Sequence, residues 1–233
     1  MQYGQGLDRM PDMDNIHYHL ANHDMDIIDN YNQLMLGKWM EIQAVSQDES
    51  LEEIDKQAQI IAILTGQDVE EILHLPIGTY KDLALRASFL SGTMAYHPVA
   101  KKYLVGKFEL IPVKDYRKIE TCQYVDFQTY APDLDKYLVE FLSVILVPKG
   151  HRYNEGYDIL EVQQALREEM SVSDGISIAG FFLTLSKRSI LNSLNYSREM
   201  AKGIKDKTRR EKILQEIQEQ ENLLRRNGDG SQM

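Results

Sequence analysis

The hydrophobic positions fall into short helical-period segments separated by sharp breaks. From Ser50 to Leu64 apolar residues recur at Leu51, Ile54, Ala58, Ile61, Ala62 and Leu64, one buried face of an amphipathic helix. Ser50 and Glu53 have the spacing of a capping box, and Thr65-Gly66 supplies a left-handed stop. A shorter helix is expected over Val69–Leu73, capped by Asp68 and closed before Pro76. Leu34–Val45 and Thr79–Leu90 carry the same period, the second through Tyr80, Leu83, Ala84, Ala87 and Leu90. Tyr103–Val113 differs. Its β-favouring residues partly alternate around Gly106-Lys107, which predicts a small hairpin. Beyond it, helices are expected over Lys118–Tyr130, Leu134–Val147 and Tyr157–Met170, and from a cap at Ser173 to about Ile204. Lys205–Arg226 reads as a highly charged helix, with Ile213, Leu214, Ile217, Leu223 and Leu224 as its few apolar positions.

These elements predict a mainly α protein: two helical lobes, a small β-hairpin and a charged C-terminal helix expected to stand off the body. The expected divisions are an N-terminal arm (1–33), an N-terminal helical lobe (34–100), a mostly helical lobe with the hairpin (101–204), and the charged helix and tail (205–233). The longest strongly apolar run, Ile176 to Leu185, is too short for a bilayer, which needs ~20 residues. It reads as a buried helix, so no membrane partner is expected.

Composition narrows the function classes. The 233 residues include 26 basic and 36 acidic ones, for a net charge of −10. That balance weighs against direct nucleic-acid binding, which is driven by cations meeting phosphates. The single cysteine, Cys122, excludes an internal disulfide framework and fits a reducing interior. It is expected to pack as a small core hydrophobe. Met1–Asn15 has neither the basic nor the apolar region of a secretory signal.

Catalytic patterns are missing. There is no Gly-x-Ser-x-Gly, no phosphate-binding Gly-x-x-x-x-Gly-Lys-Ser/Thr, and no strand-borne Gly-x-Gly-x-x-Gly. The adjacent pairs Glu52/Glu53, Glu70/Glu71 and Glu168/Glu169 point in different directions on a helix and read as solvated surface. Asp126, among apolar neighbours, is expected to be a partly buried structural carboxylate with a hydrogen-bonding partner. His17, His19 and His23 allow two metal-binding geometries, His19 with His23 on a helix or His17 with His19 on a strand. The local pattern chooses neither, and the favoured reading is a polar surface segment whose histidines touch solvent or a partner. No enzyme activity, cofactor or metal site is expected.

The order Leu36-Gly-Lys-Trp39-Met-Glu-Ile42, Ile60-Ile-Ala-Ile-Leu-Thr-Gly66-Gln, Val69-Glu-Glu-Ile-Leu73, Leu75-Pro76 and Phe89-Leu90 resembles the tail assembly chaperone-like proteins of tailed bacteriophages. The Tyr103–Val113 strands and Tyr124-Val-Asp-Phe-Gln128 are also similar to phage structural-cluster proteins. The resemblance covers about 36–130, extending towards 185. It implies a non-catalytic morphogenesis protein that binds other phage tail or virion proteins, in the bacterial host cytoplasm during assembly or in the virion. A chaperone of this type is expected to hold apolar segments of the tape measure protein. The alternative is a structural virion protein, a ring or connector subunit of the portal–tail region in a symmetric homo-oligomer. Candidate partner-binding residues are Trp39, Ile42, Leu83, Phe89 and Leu90. The basic start and sparse seam of the last helix add Arg209, Arg210, Ile213, Ile217 and Leu224 as a docking arm.

Overall fold

The computed structural model describes residues 25–229. The chain is mainly helical, with one small antiparallel sheet. Helix α1 (Leu36–Gln47) packs against α2 (Glu53–Thr65), which also meets α3 (Val69–Leu73) and α4 (Ile77–Ala87). A 3₁₀ turn at Ser88–Ser91 completes the run expected to be helical as far as Leu90. Gly66 stops α2 with φ +74°, a conformation in which a β-carbon is strained, and its N–H donates to the Ala62 carbonyl at 2.8 Å. The Ser50–Glu53 capping box does not form. The backbone N–H and the hydroxyl of Ser50 both donate to Asp48 Oδ1 instead, and α2 begins three residues later at Glu53. Asp48 is the nearer acceptor, and short polar side chains compete for caps in this way.

The hairpin forms where alternation places it. Strand β1 (Tyr103–Val105) pairs with β2 (Phe108–Pro112) in the register Tyr103↔Leu110 and Val105↔Phe108. Gly106, at φ +54°, makes the turn, and its N–H donates to Glu169 Oε2 at 2.9 Å. A third strand, β3 (Leu146–Pro148), was not expected. It pairs antiparallel to β2 with Leu110↔Pro148, so the apolar run expected to be helical to Val147 is helical only to Ile145.

Between the strands lie α5 (Thr121–Tyr130) and α6 (Leu134–Ile145), joined by a 3₁₀ turn at Ala131–Asp133. Gln123, buried on α5, accepts from the Glu120 N–H at 3.2 Å and donates its amide to the Val144 carbonyl of α6. Cys122 corrects the expectation of a core thiol. It lies on the outer side of α5 and is exposed, while Gln123 and Phe127 occupy the inner face. Asp126 is half-buried and accepts from the Tyr153 hydroxyl at 2.7 Å, the structural role expected of it. Burial, then this carboxylate, pushes the Tyr153 phenol far above its ordinary value.

Helix α7 (Ile159–Glu169) leads into α8 (Val172–Lys202). The cap of α8 is Ser171, whose hydroxyl accepts from the Asp174 N–H at 3.1 Å; Ser173, the expected cap, is buried in the first turn. Gly175 is required by close packing, since a Cβ there would meet Leu36 Cδ2 at 2.9 Å and Leu142 Cδ1 at 3.2 Å.

The core does not divide near residue 100. One buried cluster runs from Ile27 to Phe182 and takes in Leu36, Ile42, Ile61, Leu83, Leu110, Phe141 and Leu166. A short antiparallel bridge ties its halves: the Leu36 N–H donates to the Met170 carbonyl at 2.9 Å, and the Val172 N–H to the Leu34 carbonyl at 2.8 Å. At its centre Phe127 lies 5.7 Å from Phe141 and 5.4 Å from Phe182, ring centre to ring centre. Each fully buried side chain of this size contributes ~1.5–3 kcal/mol.

Past Leu183 the apolar side chains of α8 leave this cluster. Helix α9 (Lys207–Asp229) folds back along it as an αα-hairpin, so the charged helix does not stand alone. No helix among the described residues is long and apolar enough to cross a membrane.

Candidate partner-binding surfaces

The residues singled out in the N-terminal segment separate into two groups. Ile42 and Leu83 are each 2% exposed and belong to the core. Trp39, Phe89 and Leu90 are half-buried and come together around Tyr31. The Tyr31 ring meets Trp39 edge-on at 6.0 Å and Phe89 at 5.0 Å. Its hydroxyl donates to the Leu90 carbonyl at 3.0 Å, and burial raises its pKa above the ordinary phenol value. Aromatic pairs of this kind add ~0.5–1.5 kcal/mol beyond burial. The cluster thus pins the end of the α4 segment onto α1. Tyr31 had no periodic pattern around it, so nothing local marked it as the hub.

The apolar side chains that do face outward are others. Ile54 on α2 is 54% exposed, Leu73 on α3 52%, and Ile77 and Leu85 on α4 69% and 71%. A signal for Leu85 was present in the sequence: it lies off the helical face defined by Tyr80, Leu83 and Ala87. Solitary exposed leucines are ordinary, whereas several large apolar side chains on adjoining helices are a feature of contact surfaces.

On α9 the sequence-derived residues face two ways. Ile217 is buried, and Ile213 and Leu224 are half-buried. With Leu194 and Ala201, which are buried on α8 outside the main core, Ile217 belongs to the inner seam of the hairpin. An ion pair from Arg198 Nη2 to Glu221 Oε1 at 2.6 Å flanks it. Ile217 is therefore taken up within the chain, and Ile213 and Leu224 are partly covered. Arg209 is exposed and Arg210 half-buried at the start of the helix. Asp206 caps this end, accepting from the Arg209 N–H at its carboxylate (3.1 Å) and from the Arg210 N–H at its carbonyl (3.0 Å).

His17, His19 and His23 lie outside the described residues. Among the described residues no group of three or more His, Cys, Asp or Glu side chains is arranged to hold a metal ion. Comparison with protein-family models, with curated proteins and with solved structures finds no match.

Proposed function

We propose that this chain is a non-catalytic bacteriophage morphogenesis protein, tail assembly chaperone-like, that works by contact with other phage structural proteins. The observation that supports this reading best is the set of exposed apolar side chains on α2–α4, Ile54, Leu73, Ile77 and Leu85. They lie in the segment whose order of motifs resembles the tail assembly chaperone-like family. A chaperone for apolar segments needs accessible apolar surface on a body that stays folded while the client is bound. The continuous core beneath these helices suits that requirement.

A second reading, a ring or connector subunit of the virion, is favoured by the α8–α9 hairpin. It carries exposed Tyr196 and Met200 away from the main core, and a projecting element of this kind suits packing between neighbouring subunits. Mass spectrometry of purified particles separates the two. The chaperone reading expects the chain to be missing from finished particles and to co-purify with the tape measure protein from lysates. Stoichiometric presence in particles would overturn it in favour of the subunit reading.

A further inference from the structure

A groove of about 750 Å³ opens between the segment Lys114–Arg117 and one face of α8. Tyr116 backs it, its ring packed 5.9 Å from both Phe127 and Phe182, so that wall is anchored to the core. The opposite wall carries Arg188, Ser189, Asn192, Ser193 and Ser197, positions that share one side of the helix. This lining is unusual for a chain of net charge −10. Asp115 is the carboxylate in it, and that side chain already grips the Arg117 guanidinium at 3.0 and 3.1 Å. The pairing lowers the Asp115 pKa and keeps it charged. Lys114 and Arg188 form no ion pair among the described residues. Among the described residues the hydroxyls of Ser189, Ser193 and Ser197 form no hydrogen bond, whereas that of Thr184 donates to the Gly180 carbonyl at 2.8 Å.

We infer that this groove binds an extended, carboxylate-bearing peptide segment of a partner protein. Lys114 and Arg188 recognise side-chain carboxylates, and the hydroxyl and amide row on α8 offers donors and acceptors to a peptide backbone. From Leu185 to Ser197 the helix rises ~18 Å, the length of five or six extended residues. A nucleic acid suits the site less well, because two cations beside a carboxylate match few phosphates and the chain as a whole carries a net charge of −10. The inference stands on the groove alone and does not depend on the phage reading.

The test is fluorescence anisotropy of the full chain with a labelled peptide of alternating Asp and Ser, and with a Lys/Ser peptide of equal length. The acidic peptide should bind, more weakly as salt rises, and the basic one should not. Arg188→Glu should weaken binding about tenfold and Lys114→Glu by a few-fold. Lys81→Glu, the same charge change on α4, should leave it unchanged. Arg188→Gln, a milder change at an exposed site, should lie between Arg188→Glu and the native chain; thermal unfolding verifies that each variant is folded. Equal loss in Lys81→Glu and Arg188→Glu would reduce the effect to net charge and overturn the inference. So would failure of the acidic peptide to bind at low salt, or tighter binding of a short DNA duplex.

Discussion

The body and the C-terminal hairpin are both helical, yet they are held together differently. In the body, residues from Ile27 to Phe182 share one buried cluster, and helices far apart in sequence cross-brace one another through α1. In the hairpin, two long helices meet along a thin seam at Leu194, Ala201 and Ile217, flanked by the Arg198–Glu221 pair. The outer faces differ as well. The body exposes Ile77 and Leu85, whereas α9 exposes mostly Lys, Arg, Glu and Gln. A helix pair with few buried apolar contacts opens locally at lower free energy than a shared core. The comparison therefore assigns fold stability and apolar contact to the body, and leaves the hairpin as an extension that can loosen without unfolding it.

The strongest way to break this division is at the body's centre. Phe182→Ala leaves a cavity among Phe127, Phe141 and Tyr116 and should cost about 3–5 kcal/mol in urea unfolding. A loss below 1 kcal/mol would mean that the aromatic cluster is not the keystone. In the hairpin, Ile217→Ala should cost about 2 kcal/mol, and locally. Amide exchange along α9 should accelerate while the unfolding midpoint of the body barely moves. If both move together, hairpin and body are one cooperative unit.

Much of the body was legible in the sequence. The Gly66 stop, the Val69–Leu73 helix and the hairpin about Gly106-Lys107 follow from local chemistry, because a left-handed glycine, a proline break and alternation act over a few residues. What was not legible depends on distant partners. Leu146–Pro148 continues an apolar helix in sequence and becomes a strand only because Leu110–Pro112 offers an edge. An apolar run by itself does not distinguish strand from helix. Tyr31 became a hub through Trp39 and Phe89, and the groove joins Lys114–Arg117 to residues 185–197, neither of which a local pattern can reveal. The exposed Ile77 and Leu85 were partly legible, being off the buried face of their helix.

Smaller effects sharpen the picture at the surface. Cys122→Ser should change stability by less than about 0.5 kcal/mol, and the native thiol should react promptly with a thiol reagent. A thiol that reacts only after denaturation would restore the core assignment. Glu109 on β2 is held below the usual carboxylate range, first by its hydrogen bond to Lys149 and then by Lys102. Because folding lowers this pKa, the contribution is present above the unfolded glutamate value and fades as pH falls through the folded one. Lys149→Ala should move the Glu109 titration, followed by NMR, upward towards the ordinary value; an unmoved titration would show that the pair does not persist in solution.

The functional reading rests on the exposed apolar side chains of α2–α4, and one co-purification tests it directly. Under the proposed phage reading, the chain is co-expressed with the corresponding tape measure protein, as the native sequence and as Ile77→Glu/Leu85→Glu. Both side chains are largely exposed, so the double variant should fold as the native chain does, verified by circular dichroism. The expected result is that the native chain retains the tape measure protein and the folded double variant loses it. Equal retention by both, or by neither, would contradict the reading.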